Sequence, residues 1–271
     1  MPSPLDLSTK YYFWKPFMAY FEAFELKAYR DFVRFPDGLI LDLGCSDGIF
    51  AQMLKELLGI KTPLIGGDYD GRKLQRAAQR TSVYFQTLRL DASHLPFKKE
   101  SFDAVLSNAV LYCLRPNPEQ AVKEVERILK KGGIFTCTVP THLAEQHYYI
   151  IEVLERIGLL KLANLCRQRI NTRLGNVSAF PPCRWCGILE ERGLSIRKVI
   201  PYISEQISRQ WSLLFLTPFR AMSVLRIVPW KQVHRLASII QKGLMVRSYT
   251  RLSAVETLEY GDYILIVSQK S

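Results

Sequence analysis

Asp42, Gly44 and Gly48 stand in the run Leu39-Ile40-Leu41-Asp42-Leu43-Gly44-Cys45-Ser46-Asp47-Gly48-Ile49-Phe50, where an apolar stretch gives way to a glycine turn. Phe50, Ala51, Met53, Leu54, Leu57 and Leu58 then recur at helical spacing. A glycine turn between a buried strand and a helix lets a ligand approach the backbone and sit over the helix N-terminus. Twenty-four residues beyond Gly44, a second apolar run, Pro63-Leu64-Ile65-Gly66-Gly67, ends at Asp68. A carboxylate at such a strand end can accept both hydroxyls of a ribose. Asp70, two residues on, reads as the cap of a helix that begins near Arg72.

Asp42-x-Gly44-x-x-x-Gly48 resembles the first motif of the class I S-adenosylmethionine-dependent methyltransferases, Asp/Glu-x-Gly-x-Gly-x-Gly, with Ser46 in place of the middle glycine. Leu88-Arg89-Leu90-Asp91-Ala92, followed by His94-Leu95-Pro96-Phe97, is similar to the third motif of that family, in which the Asp side chain and the next amide read the adenine edge. Ser101-Phe102-Asp103-Ala104-Val105-Leu106-Ser107-Asn108 matches the fourth strand, whose end faces the transferring methyl. Val125 to Phe135, with Gly132-Gly133 at its centre, matches the helix, turn and strand that follow. The resemblance covers residues 36–140, about half the chain, and points to the small-molecule branch that includes ubiquinone- and menaquinone-type enzymes. It implies a Rossmann-like α/β sheet of seven strands in the order 3-2-1-4-5-7-6, to which this sequence adds helical insertions after strand 5 and between strands 6 and 7. It also implies S-adenosyl-L-methionine as cofactor, held by Asp42, Gly44, Cys45, Ser46, Gly48, Asp68, Tyr69, Asp91, Ala92 and Asn108.

Methyl transfer to a bound acceptor needs proximity, alignment and exclusion of water, and a base only where the nucleophile must lose a proton. His142 follows the fifth strand in Val139-Pro140-Thr141-His142 and is the candidate base, since an imidazole titrates near neutrality; it is also a candidate acceptor contact. Asn108 and Tyr112, at and after the end of the fourth strand, are candidates for orienting the acceptor. After a loose tail at residues 1–10, Tyr11 and Tyr12, candidate substrate contacts, open an aromatic helical pattern that runs to Phe35 and either lies over the cleft as a lid, as in related methyltransferases, or packs on the sheet. Cys183-Arg184-Trp185-Cys186 has no second pair to complete four ligands, so these thiols read as structural and no metal site is expected.

Around the core at 36–140 lie the lid (1–35), a helical insertion (141–193) and a last segment (194–271). That last segment holds two strands, Leu194 to Tyr202 and Tyr260 to Ser268, separated by a basic, apolar insertion at 203–258. The net charge of +12 is uneven, +3 over residues 1–140 (19 basic, 16 acidic) and +9 over 141–271 (18 basic, 9 acidic). The greasy, arginine-sprinkled stretch from Trp211 to Trp230 suits either a membrane interface or a cap over a hydrophobic pocket. Both point to a lipophilic or aromatic small-molecule acceptor methylated on O or C. Ser107-Asn108-Ala109-Val110 stands where base N-methylating enzymes carry Asn/Asp-Pro-Pro-Tyr/Phe, which argues against nucleic acid, although an RNA methyltransferase and a non-catalytic cofactor-binding module remain as rival readings. Six cysteines without a secretory leader point to the cytoplasm, with membrane association as the alternative.

Overall fold

The computed structural model describes residues 2–13, 15–62, 64–114, 118–175, 178–216, 243, 246–252 and 261–271. Ser3 accepts a hydrogen bond from the Asp6 amide at 3.1 Å and Pro4 occupies the first turn, so a helix, α1 (Pro4–Tyr11), forms where the sequence suggests a loose tail. Burial of Leu5 and Leu7 fastens it to the core. A second proline starts α2 (Pro16–Phe32), so the aromatic pattern is broken into two helices rather than one.

The central sheet then alternates with helices: β1 (Ile40–Leu43), α3 (Ile49–Leu58), β2 (Leu64–Asp68), α4 (Gly71–Ala78), β3 (Tyr84–Arg89) and β4 (Phe102–Asn108). A short 3-10 turn, Leu111–Cys113, leads to α5 (Glu119–Ile128) and β5 (Leu129–Pro140). Gly132-Gly133, expected to end the helix, instead lies inside β5. The carbonyls of Arg127 and Ile128 accept from the amides of Glu100 and Ser101, which closes the helix before the glycines are reached. The insertion after β5 is helical, with α6 (Tyr149–Arg156), α7 (Leu160–Leu174) and α8 (Pro182–Glu190). The chain returns through β6 (Leu194–Ile203), α9 (Glu205–Leu216) and β7 (Tyr263–Lys270). The stretch 217–242, which carries most of the segment between the two tryptophans, lies outside the described residues.

The strand order is β3-β2-β1-β4-β5-β7-β6, as the resemblance implies. β1 runs parallel to both β2 and β4, whereas β7 is antiparallel to β5 and β6. Alternation of side chains sorts each strand between two cores. Leu41, Leu43, Ile264 and Ile266 join α5 and α8 on one face, while Leu265 and Val267 meet α2 and α3 on the other. That parity turns Asp42 away from Leu41 and Leu43, towards the side where Tyr84 reaches it.

The turn after β1 leaves no room for a side chain at its first glycine. Gly44 has φ +81°, and a Cβ there would lie 2.1 Å from Val110 Cγ2. Gly44→Ala is expected to cost about 2–4 kcal/mol, the sum of a left-handed penalty and overpacking. Urea unfolding of the variant measures it, and a loss below about 0.5 kcal/mol would mean that Val110 moves aside freely.

Candidate functional site

The amides of Gly44 and Cys45 both donate to the Gly67 carbonyl, at 2.7 and 3.0 Å, and the Ser46 amide donates to Asp68 Oδ2 at 2.7 Å. On the other side, the Asp70 amide donates to Asp68 Oδ1 at 2.8 Å. Each carboxylate oxygen has a further lone pair, so Asp68 is clamped in place and can still accept from a ligand. Ser46 itself adopts a left-handed backbone, φ +53°, which accounts physically for a glycine at this place in the family pattern. Gly48, at φ +77°, is the N-cap of α3, and a Cβ there would come within 2.7 Å of the Tyr84 ring. Asp70 caps α4 by accepting from the amides of Arg72 and Lys73.

Asp42 lies under this turn, 3% exposed, and accepts from the Tyr84 hydroxyl at 2.6 Å. Burial pushes its carboxyl up to about 7, Asp68 adds to the rise and the Tyr84 hydrogen bond opposes it. The buried Cys45 thiol is pushed up in the same way. Asp91 is exposed and held below the usual carboxylate range by the amide and hydroxyl of Ser93, while Ala92 beside it is buried. Tyr69 is exposed, with the Arg89 guanidinium 5.5 Å from its ring centroid. These residues share the carboxyl edge of β1, β2 and β3, where ligands of open α/β sheets bind.

The neighbouring edge, at the ends of β4 and β5, carries a group that the sequence reading passed over. Thr138 Oγ1 donates to Asn108 Oδ1, and Glu25 of α2 lies within hydrogen-bonding reach of both side chains. The Tyr202 hydroxyl donates to Glu25 Oε1 at 3.1 Å. Glu22, one helical turn earlier, is hydrogen-bonded to Glu25. Both glutamates are buried, and burial raises both carboxyls well above their ordinary range. Two carboxylates three residues apart in an otherwise aromatic helix are the signal that could have found them.

Of the other candidates, Tyr112 is 8% exposed and its hydroxyl is pushed up by burial. Tyr12 faces Glu22, Glu25 and Asp47. Tyr11 turns the other way and donates to Glu56 of α3. His142 is exposed on the turn after β5, whereas His147 has Nδ1 2.8 Å from the buried Asp262 Oδ1. Cys183 and Cys186 are free thiols, and no group of three or more metal-ligating side chains occurs among the described residues.

Asp42 also gives the fold a pH dependence of known sign. In the unfolded chain its carboxyl titrates near 4, roughly the free value, so between there and about 7 the folded state binds the additional proton. Stability contributed by this group is therefore fully present at low pH and falls as pH rises through that window. Asp42→Asn keeps an acceptor for Tyr84 and removes the titration. Urea unfolding across pH should show a flatter profile in the variant, the wild type losing up to about 4 kcal/mol more than it does.

A family model described as "Methyltransferase domain" matches residues 41–137. An uncharacterised chloroplastic methyltransferase of Arabidopsis thaliana is 32% identical over 109 residues, 37% of this chain and 30% of that protein. A demethylmenaquinone methyltransferase of Lactococcus lactis is 34% identical over 109 residues, 38% of this chain and 42% of that protein. The chain thus spans less than half the length of either relative. The fold as a whole is similar to a crystal structure from Thermotoga maritima described as a methyltransferase dependent on the same cofactor, possibly one acting on histamine nitrogen. Its TM-score is 0.55 at 21% identity, over 97% of this chain and 93% of that one. The residues present fit the cofactor: a turn that a Cβ would fill at Gly44 and Gly48, and two carboxylates, Asp68 and Asp91, at adjacent strand ends. Residues 41–137 thus match a methyltransferase domain, within a sheet whose strand order is that of the Rossmann-like methyltransferase fold.

Proposed function

We propose that this chain moves a methyl group to an oxygen or carbon of a lipophilic or aromatic small molecule. When bound, S-adenosylmethionine supplies an electrophilic methyl whose bond to sulfur breaks with the electron pair left on sulfur. Asp68 would hold the ribose, and Asp91 with the Ala92 amide would hold the adenine edge. The observation that supports the acceptor class is a cluster of aromatic rings joined through Tyr202 and Glu25 to the end of β4. Phe21 has its ring centroid 4.9 Å from that of Tyr263, 6.2 Å from Tyr202 and 6.0 Å from Trp211, with Tyr148 6.3 Å from Trp211. Rings in such a cluster favour a flat apolar partner and present few polar groups to satisfy.

A membrane surface is the second partner in this reading, and the basic half of the chain supports it. No helix among the described residues is long and apolar enough to cross a membrane. The rival RNA reading is supported by charge alone.

Transfer of labelled methyl to 1,4-naphthohydroquinone, scored in an organic extract, tests the proposal. Product is expected with the wild type and a loss of about 10–100-fold with Asp68→Ala at sub-saturating cofactor, the worth of hydrogen bonds to a charged group. Label appearing in added RNA and absent from the organic phase would overturn it.

A further inference from the structure

Glu22 and Glu25 lie on the inner face of α2, opposite the ends of β4 and β5, and among the described residues no salt bridge reaches either of them. Buried carboxylates without a cation are costly, and a fold keeps them where they handle a proton or a charge. The groups facing them are tyrosines and one further acid: Tyr12 at the end of α1, Tyr29 on the same helix, Tyr112 after β4, Tyr202 on β6, and Asp47 in the turn after β1. The two carboxyls are not equivalent. Their mutual hydrogen bond favours the proton on Glu22 and the charge on Glu25. Tyr202, Asn108 and Thr138 all lie within hydrogen-bonding reach of Glu25. Glu22 Oε2, on a residue 6% exposed, has no hydrogen-bond partner among the described residues. An unpartnered oxygen sealed from water, beside the strand end that faces the acceptor, is a vacant position for a ligand hydrogen.

We propose that Glu22 and Glu25 are the proton-accepting pair of the acceptor site, and that the acceptor accordingly carries an ionisable ring hydroxyl, as a phenol or hydroquinone does. This rests on the small-molecule reading above. In the step assigned to the pair, the acceptor O–H bond, seated on Glu22 Oε2, breaks and its proton binds that oxygen while the proton that Glu22 holds passes to a carboxylate oxygen of Glu25. The bonding pair stays on the acceptor oxygen, which becomes the nucleophile, or passes its charge to a ring carbon. Before the step Glu22 holds its own proton and donates to Glu25. The site's net charge is unchanged by the transfer, so it can occur in a dry enclosure. Asn108 is a positioning residue here, with its amide NH2 free to donate to Glu25, and Thr138 fixes the Asn108 amide by donating to its Oδ1.

The test uses 4-nitrophenol, whose ionised form absorbs at longer wavelength than the neutral form. The probe is added to the full chain saturated with S-adenosylhomocysteine, at a pH below the probe's own ionisation. The wild type is expected to bind it ionised. Glu25→Gln should bind S-adenosylhomocysteine as the wild type does and lower the ionised fraction of bound probe about tenfold, one pKa unit. Tyr202→Phe, which removes a donor that stabilises the charged form of Glu25, should raise that fraction. Probe bound in the neutral form by the wild type, or an ionised fraction that neither substitution moves, overturns the proton-accepting role alone. Binding of phenethylammonium but not of nitrophenol overturns it in favour of a cation site. Binding of S-adenosylhomocysteine with neither probe taken up overturns the aromatic-acceptor reading as well, and absence of S-adenosylhomocysteine binding overturns the methyltransferase reading itself.

Discussion

Three consecutive amides, those of Gly44, Cys45 and Ser46, donate into the end of β2, two to the Gly67 carbonyl and one to the Asp68 carboxylate. This stitching joins the ends of two parallel strands through a turn whose backbone is left-handed at Gly44, Ser46 and Gly48. The turn therefore depends on having no side chain at Gly44, where Val110 fills the space, and on a carboxylate at position 68 to receive the third amide. With the turn set, α3 starts at Gly48 and packs Ile49, Met53, Leu54 and Leu57 into the core. The same bonds that organise the fold hold the Asp68 carboxylate in place, and in the proposed reading they aim it at a ribose, so a change at Asp68 would be felt in the turn as well as in the ligand.

Beside this polar edge the structure builds a different environment. α2, β6 and α9 bring Phe21, Tyr202 and Trp211 together, and β7 adds Tyr263. The rings lie beside the buried pair Glu25 and Tyr202, where each polar contact carries more weight than it would at the surface. Glu25, Asn108, Thr138 and Tyr202 satisfy one another there and leave one oxygen of Glu22 over. In the proposed reading two tasks are divided between the halves of the carboxyl edge, cofactor on β1 to β3 and acceptor on β4 and β5.

The sheet order was legible because each strand of the core ends on a recognisable residue: Asp42 before a glycine turn, Asp68 after Gly66-Gly67, Asn108 after an apolar run. Asp70 was readable as a cap for the same reason, since an aspartate just before a helix finds two free amides. The Gly132-Gly133 pair misled, because the helix before it is closed by backbone bonds from Glu100 and Ser101, which lie far away in sequence. The glutamates of α2 were hidden by their aromatic neighbours. Helical periodicity shows which face is buried, but not that a carboxylate on that face meets Tyr202 of a strand 177 residues later. His142 drew attention by its place after β5 and is exposed there, while His147, five residues on, meets Asp262 only because the turn folds back onto the start of β7.

The central claim is that the clamped Asp68 and the exposed Asp91 are the two anchors of a nucleoside. A crystal structure of the chain with S-adenosylhomocysteine tests it most directly. The account predicts both ribose hydroxyls on the Asp68 carboxylate, the adenine edge at Asp91 and Ala92, and a turn from Gly44 to Gly48 that keeps its bonds to Gly67. A nucleoside bound away from Asp68, or a turn that must open and release Gly67 to admit it, would contradict the account.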